Sequence, residues 1–302
     1  MRIVIALGGN ALQRRGEAAD LTHQRRNLHV AAQAVADLAR EHQVVVTHGN
    51  GPQVGWLAMH TSRGGSEPDY PLDVLDAGSE GMIGYLLEQE LANLLPGKTL
   101  ATLLTQVAVD PDDPAFQHPD KPIGPVLPED QARRLEARHG WPFVPEGGGL
   151  RRVVASPRPQ RILEVNTIRN LIMSGTIVIC VGGGGIPVAL DAQGAIHGVE
   201  AVIDKDRATA LLAVELDADA LLLLTDVDAV YRDWGTPRAA PIRRATPEEL
   251  GSMRFAPGSM APKVEAACGF VREGRRLAGN GRLEDASAIL EGQAGTWIRA
   301  SQ

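Results

Sequence analysis

The chain has few aromatic residues and no long apolar run. Only 4% of its 302 residues are aromatic, although 44% are hydrophobic, so aliphatic side chains must build most of the core. Such a composition suits an α/β protein whose central strands pack between helices. No stretch approaches the roughly 18 apolar residues of a membrane helix, and the N-terminal residues lack the features of a signal peptide. We therefore expect a cytoplasmic α/β protein without a membrane partner.

Cysteine and positive charge are also scarce. Cys180 and Cys268 are too few for a disulfide framework or a zinc site, and Cys180 stands in an apolar segment that favours a buried thiol. Neither cysteine is a catalytic candidate. The formal net charge is −7 at pH 7, and no run of Lys and Arg supplies the basic face that a nucleic acid requires. The composition therefore argues against a nucleic-acid partner.

Short aliphatic runs alternate with segments of helical periodicity through most of the chain. The predicted strands cover residues 3–7, 44–47, 100–109, 176–181 and 221–225, with closing strands at 288–290 and 296–298. The predicted helices cover residues 22–42, 79–95 and 160–174. This alternation predicts a mostly parallel sheet with helices on both faces.

The segment from about residue 110 to about residue 159 interrupts the alternation, being rich in proline and poor in continuous apolar runs. A disordered insertion is one interpretation. Trp141, Phe143, Val153 and Val154 nevertheless supply enough apolar surface for a small ordered lobe, which we favour.

Three glycine-rich turns each follow a predicted strand, at residues 8–9, 49–51 and 182–185. Ligands bind at the carboxyl ends of strands in an open α/β sheet, and glycine lets backbone N–H groups approach anionic oxygens. One such turn is weak support, but three together predict an anion-binding crevice. None of them is a P-loop, and Ile186 and Pro187 follow the last one where a dinucleotide-binding motif would open a helix. A dinucleotide oxidoreductase is therefore disfavoured.

Lysines stand at the starts of two predicted helices. Lys205 lies between Asp204 and Asp206 and can be aimed at a phosphoryl group, while Asp206 can also cap the helix. Lys263 follows a proline-bounded turn that fixes its direction. Lys121 stands in the irregular segment and would be unremarkable alone.

Carboxylates and a histidine follow two other predicted strands. Asp226 and Asp228 come after the strand at 221–225 and could bind a ribose, a base edge or a metal ion, although such a pair is often only a surface turn. His48 stands beside the second glycine turn. A hydrogen bond to its own turn is the favoured interpretation, so we leave it out of the catalytic set.

Together these segments resemble the amino acid kinase superfamily, and within it the carbamate kinases, over essentially the whole chain. The resemblance rests on ALGGNAL (6–12), THGNGPQVG (47–55), GMIGY (81–85), KPIGP (121–125), RRVV (151–154) with Ser156 and Pro157, GGGGIP (182–187), VEAVIDKD (199–206), TDVDAVY (225–231) and FAPGSMAPKVE (255–265). The order and spacing of these motifs also agree with the family.

The resemblance implies a single domain over residues 1–302 with a three-layer α/β/α sandwich and a mostly parallel central sheet. It implies a substrate half at about 1–175, with a protruding lid at about 110–159, and a nucleotide half at about 176–302. The implied reaction is reversible phosphoryl transfer between ATP and carbamate, giving ADP and carbamoyl phosphate, run toward ATP in catabolism of arginine or carbamoyl compounds. Mg²⁺ would be held through the nucleotide phosphates without a protein metal site, and the protein would be a homodimer.

The resemblance also implies roles for individual residues. Catalysis would involve Lys205, Lys263, Asp206 and Lys121. Substrate and phosphoryl binding would involve Gly8, Gly9, Asn10, Gly49, Asn50 and Gly51. ATP binding would involve Gly182, Gly183, Gly184, Thr225, Asp226, Tyr231 and Met260.

The chain departs from the family pattern at three positions. Trp56 stands where a smaller polar residue is expected, Glu80 where glutamine is common, and Ala229 where glycine is frequent. Trp56 follows the substrate turn, so it could alter pocket size or dimer packing. Two alternatives stay open. One is a kinase of the same superfamily acting on another small carboxylate or carbamoyl acid, and the other is a nucleotide-binding sensor without activity.

Overall fold

The structure is a computed structural model that describes residues 1–9, 20–61, 70–256, 260–274 and 277–301. The strands are β1 (Arg2–Leu7), β2 (Gln43–His48), β3 (Leu100–Thr102), β4 (Gln106–Val109), β5 (Lys121–Leu127), β6 (Phe143–Glu146), β7 (Gly149–Val154), β8 (Pro159–Ile162), β9 (Ile177–Ile179), β10 (Ile186–Leu190), β11 (Ile196–Gly198), β12 (Ala220–Thr225), β13 (Val230–Arg232), β14 (Ala240–Ile242), β15 (Arg244–Ala245), β16 (Leu277–Arg282) and β17 (Thr296–Ile298). The helices are α1 (Leu21–Ala39), α2 (Gly51–Thr61), α3 (Leu72–Leu94), α4 (Glu129–His139), α5 (Val165–Met173), α6 (Lys205–Glu215), α7 (Pro247–Gly251), α8 (Met260–Arg272) and α9 (Ala286–Leu290), with short 3₁₀ turns at Pro114–Phe116, Gly182–Gly184 and Leu283–Asp285.

A central sheet of eight strands organises the molecule, in the order β15-β17-β16-β12-β1-β2-β9-β3. The pairs from β16 through β12, β1, β2 and β9 to β3 are parallel, and β16 pairs antiparallel with β17. In the middle of the sheet, Ile5 lies between Leu222 on β12 and Val46 on β2. The prediction of a mostly parallel sheet is confirmed.

Each central strand is buried on both faces because successive side chains point to opposite sides of a sheet. Val4 and Leu221 belong to an apolar core that includes residues of α5, α6 and α8. Ile3 and Leu222 belong to a second core that includes residues of α1, α3 and α9. The strands therefore form the middle layer of an α/β/α sandwich, as expected.

Four predicted elements differ from the structure. The predicted helix at 79–95 already begins at Leu72. The predicted strand at 100–109 is two strands, β3 and β4, in different sheets. The predicted helix at 160–174 begins only at Val165, because the preceding residues form β8. Residues 288–290 belong to helix α9, where Ile289 fills the space above Gly279. A short apolar run fits a buried helix as well as a strand, so its periodicity alone cannot separate the two.

The irregular segment contains a small lobe, defined here as residues 121–154. Strands β5, β7 and β6 form an antiparallel sheet in that order, accompanied by α4. The lobe packs closely on α2, since a Cβ at Gly55 would lie 2.1 Å from the backbone nitrogen of Gly124. Strands β11, β10, β4 and β8 form a further sheet. No helix within the described ranges is long and apolar enough to cross a membrane.

Candidate active site

The three glycine turns meet at one edge of the central sheet. Strands β1, β2, β9 and β12 run parallel, so their carboxyl ends lie on the same side. The first two turns and the end of β12 border a cavity of about 820 Å³, together with Lys121 from the lobe. A cavity therefore lies at the edge where the sequence predicts an anion-binding crevice.

Most of the predicted site residues border this cavity. They are Gly8, Gly9, Gly49, Asn50, Gly51, Lys121, Gly183, Lys205, Asp206, Thr225, Asp226, Tyr231, Met260 and Lys263. Asn10 lies outside the described residues. Gly182 and Gly184 do not border the cavity.

The glycines of the third turn serve close packing. A Cβ at Gly182 would lie 2.5 Å from the ring of His48, and one at Gly184 would lie 2.5 Å from the carbonyl oxygen of Ile203. Gly183 has a φ of +73°, and a Cβ there would lie 2.1 Å from the amide nitrogen of Asn50. The turn thus packs closely against His48, Asn50 and Ile203.

Helix α6 begins at Lys205 because Asp204 caps it. Asp204 Oδ1 accepts hydrogen bonds from the backbone N–H groups of Asp206, at 3.0 Å, and Arg207, at 3.2 Å. The capping role that the sequence suggested for Asp206 therefore belongs to Asp204. The side chain of Asp206 is left to interact with lysines.

Asp206 bridges the two predicted catalytic lysines. Its Oδ1 accepts a hydrogen bond from Lys205 Nζ at 2.5 Å, and its Oδ2 accepts one from Lys263 Nζ at 2.8 Å. The three side chains are 5–13% exposed, so water screens these charges little. Helices α6 and α8 are thereby joined at the cavity by a cation–anion–cation group.

A third lysine, Lys121 of the lobe, binds Asp204, the residue directly before Lys205. Lys121 Nζ donates to Asp204 Oδ2 at 2.7 Å. Burial alone would raise the pKa of Asp204, but the charges of Lys121 and Lys205 hold it well below its usual range. We did not predict a role for Asp204. Its place directly before the first helical residue was the signal that could have revealed it.

The charges of the bridged group affect one another. Burial lowers the pKa of Lys205, and Lys263 lowers it further, although Asp206 opposes both effects. For Lys263 the attraction of Asp206 outweighs the effect of burial, so its pKa is raised. Asp206 keeps a lowered pKa beside the two lysines in spite of its burial. A cavity lined in this way favours a ligand that carries concentrated negative charge.

The side chain of Lys205 passes along the glycine turns. A Cβ at Gly49 would lie 3.5 Å from Lys205 Cδ and 3.3 Å from the backbone nitrogen of Gly9. By contrast, a Cβ at Gly9 or Gly51 would meet no described atom within 4 Å. The backbone at Gly9 and Gly51 is therefore accessible to a ligand beside the lysine.

His48 lies behind the second glycine turn and does not border the cavity. The side chain is fully buried, and its Nδ1 lies 3.3 Å from the carbonyl oxygen of Gly49, to which it donates in the neutral form. Burial lowers the pKa of His48 to about 4. The predicted hydrogen bond to its own turn is confirmed.

The other end of the cavity has an apolar wall. Tyr231 packs edge-to-face with Trp234 at 5.1 Å between ring centroids, and both border the cavity with Met260. Tyr231 donates its hydroxyl hydrogen to Asp228 Oδ1 at 2.8 Å, while Asp226 faces the cavity. Aromatic and thioether side chains of this kind suit a planar heterocyclic base. Sequence reasoning missed Trp234, because a lone tryptophan outside any motif carries no signal.

The three departures from the family pattern occupy different environments. Trp56 is 47% exposed, stacks on His60 at 4.0 Å and does not border the cavity. Ala229 is buried and borders the cavity. Glu80 is buried behind the third glycine turn, where its carboxylate accepts hydrogen bonds from the N–H groups of Gly182 at 2.7 Å and Thr105 at 3.2 Å. Trp56 therefore has no direct effect on the cavity.

Comparisons with known proteins agree with this arrangement. A family model described as the amino acid kinase family matches residues 1–278. A carbamate kinase from Rhizobium meliloti is 52% identical over 304 aligned positions, covering 100% of this chain and 94% of that protein. A carbamate kinase from Pyrococcus horikoshii is 45% identical over 310 positions, covering 98% of each. Among solved structures, a carbamate kinase from Giardia lamblia bound to AMP-PNP superposes with a TM-score of 0.91 at 38% identity, covering 99% of this chain and 98% of that one.

Proposed function

The chain belongs to the amino acid kinase family, and from that premise we propose that it catalyses reversible phosphoryl transfer between ATP and carbamate, giving ADP and carbamoyl phosphate. The observation that carries the proposal is the pair of lysines bridged by Asp206 at the edge where the glycine turns meet. The similarity to carbamate kinases over the whole chain selects the acceptor from among the substrates of the family.

The reaction needs charge neutralisation more than proton transfer. A carbamate oxygen is already anionic, so it can attack the γ-phosphorus of ATP without a general base. The transferring phosphoryl group spreads negative charge over its equatorial oxygens, and catalysis of such transfer is mostly positioning and electrostatic stabilisation. Lys205 and Lys263 would neutralise this charge, while the backbone N–H groups of Gly9 and Gly51 hold the phosphoryl oxygens. Asp206 keeps the two lysines in place.

Lys121 brings the lobe into the reaction. Its ammonium group already reaches Asp204, directly beside Lys205. A phosphoryl donor entering the cavity offers Lys121 a second anionic partner. We expect the lobe to act as a lid that adds a third positive charge when substrate is bound.

The nucleotide would occupy the apolar end of the cavity. Tyr231, Trp234 and Met260 would face the base, and Asp226 would face the ribose or the phosphates. Mg²⁺ would enter as the complex of the nucleotide, since Mg²⁺ in such sites is bound by substrate phosphates and needs only one or two carboxylates from the protein. The Giardia lamblia relative is described as bound to AMP-PNP, which supports a nucleotide as a ligand of this chain.

The assembly, compartment and direction are part of the same proposal. We propose a homodimer in the cytoplasm that works toward ATP in the catabolism of arginine or carbamoyl compounds. Exposed apolar side chains on α3, among them Val74, Met82 and Tyr85, support an interface there. Two free, buried cysteines fit a reducing compartment. Carbamoyl phosphate is a reactive mixed anhydride, which favours transfer to ADP.

The test is ATP formation from ADP, Mg²⁺ and fresh carbamoyl phosphate in a coupled assay, with N-acetylglutamate and ATP as the alternative substrate pair. Turnover with carbamoyl phosphate, and none with the alternative pair, is the expected result. Binding of ATP without turnover of carbamoyl phosphate would refute the assignment of the acceptor. Lys98→Ala, at an exposed position remote from the cavity, serves as a control for variants of the site lysines.

A further inference from the structure

Asn50 is the polar side chain of the second glycine turn that borders the cavity, and its amide is held from behind. The amide nitrogen donates to Asp76 Oδ1 at 2.7 Å and to Ser79 Oγ at 2.8 Å. Both partners are on α3, are fully or almost fully buried, and do not border the cavity. Both N–H bonds of the amide therefore point away from the cavity, and the oxygen Oδ1 is the remaining polar atom.

The orientation of the amide is fixed in more than one way. Ser79 donates its only hydroxyl hydrogen to the carbonyl oxygen of Asp76 at 3.0 Å, so toward Asn50 its oxygen can only accept. Burial raises the pKa of Asp76 well above its ordinary value, which favours a protonated carboxyl group. The proton can reside on Oδ2, because this atom has no hydrogen-bond partner among the described residues. In either state Oδ1 accepts from Asn50. Gly183 packs closely against the amide, since a Cβ there would lie 2.1 Å from Asn50 Nδ2.

We propose that Asp76 and Ser79 are positioning residues that present Asn50 Oδ1 to the cavity, where it accepts a hydrogen bond from the amino group of the carbamoyl substrate. This inference rests on the proposed function and assigns the choice of substrate to this one atom. Acetate has nearly the same shape as carbamate but carries a methyl group in place of the amino group. It would leave Asn50 Oδ1 without the donor that the carbamoyl amino group supplies, and a site built to hydrogen-bond such a group discriminates against an analogue that lacks it.

The experiment compares two phosphoryl donors that differ only at this group. The specificity constant kcat/KM for ADP phosphorylation is measured with carbamoyl phosphate and with acetyl phosphate, for the wild type, Asp76→Ala and Ser79→Ala. Asp73→Asn is the control, because Asp73 is one turn away on the same helix and packs against Gly198. Circular dichroism and the KM for ADP confirm that each variant is folded.

We expect the wild type to prefer carbamoyl phosphate by roughly tenfold or more, as one lost hydrogen bond implies. Asp76→Ala and Ser79→Ala should lose most of this preference through slower use of carbamoyl phosphate, with acetyl phosphate little changed, and Asp73→Asn should retain it. An unchanged preference in the folded variants, or an equal loss with both donors, would overturn the inference. If Asp76→Ala does not fold, Ser79→Ala decides alone. A wild type that is inactive with carbamoyl phosphate would overturn the proposed function as well.

Discussion

Asp206→Asn tests the bridged lysine pair most sharply, because it removes one charge and keeps the shape. Asp206 is 4% exposed and accepts from Lys205 and Lys263 at 2.5 and 2.8 Å. The variant keeps one oxygen acceptor but leaves two buried ammonium groups without their shared counter-charge. Removing one partner of a buried ion pair costs about 3–5 kcal/mol in the free energy of unfolding, and the retained oxygen places the expected loss at the lower end, about 3 kcal/mol.

Asp206→Asn should also lower kcat, apart from its effect on the free energy of unfolding. Loss of a preorganised group that stabilises transition-state charge lowers kcat by about 10²–10³-fold, and Asp206 orients two such groups. The loss should also depend on pH. Burial and Lys263 already lower the pKa of Lys205, and Asp206 is the main opposing influence. Without Asp206 the pKa of Lys205 falls further, so Lys205 holds its proton less firmly than in the wild type, and a lower pH favours its charged form.

The assay is kcat for ATP formation from carbamoyl phosphate at about pH 8 and about pH 6, with urea unfolding in parallel. The ratio of variant to wild-type kcat should be about 0.01 at the higher pH and should rise at the lower one. Asp130→Asn is the control, because its ion pair with Arg134 is about 70% exposed and should contribute at most about 1 kcal/mol. A folded Asp206→Asn enzyme with near-normal kcat, or a ratio that falls as the pH is lowered, would refute the reasoning.

Three further predictions concern stability and assembly. Burial raises the pKa of Glu80 from 4.5 to about 8, so between these values the folded state holds a proton that the unfolded state has released, and stability falls as the pH rises. In urea unfolding, the free energy of unfolding should therefore fall less between about pH 5 and about pH 8 for Glu80→Gln than for the wild type. An equal fall in both proteins would contradict the raised pKa of Glu80. Gly55→Ala should lower the free energy of unfolding by about 2 kcal/mol or more, because its Cβ would meet the Gly124 backbone, whereas Gly78→Ala on open helix surface should not. Tyr85→Glu should convert the proposed dimer to monomer in light scattering, and an unchanged dimer would place the interface elsewhere.

Much of the site could be predicted because parallel topology collects the ends of strands at one edge. The glycine turns after β1 and β2 and the lysines at the starts of α6 and α8 reached the cavity as expected. The capping role was assigned to Asp206 instead of Asp204, since a shift of two residues in the predicted helix start exchanges the cap and the bridge. The backing of Asn50 by Asp76 was also hidden, because the two are 26 residues apart and only tertiary packing joins them.

The wrong prediction of a strand at residues 288–290, which belong to helix α9, has a different cause. Residues 288–290 are three apolar residues in a row, and such a run satisfies the pattern of a strand and of a buried helical turn equally. The tertiary environment decides between helix and strand. Ile289 packs against Gly279 and Gly281 of β16, and a Cβ at either glycine would collide with its side chain. Local sequence does not contain that information.

The central claim is that Lys205 takes part in transfer of a phosphoryl group between carbamoyl phosphate and ADP. Single-turnover formation of ATP, with enzyme and Mg²⁺ in excess over carbamoyl phosphate and ADP saturating, measures that step directly in the wild type, Lys205→Ala and the control Lys98→Ala. Rapid ATP formation in the wild type and Lys98→Ala, slowed by about a hundredfold or more in Lys205→Ala, is the predicted result. ATP formation by folded Lys205→Ala at close to the wild-type rate would contradict it.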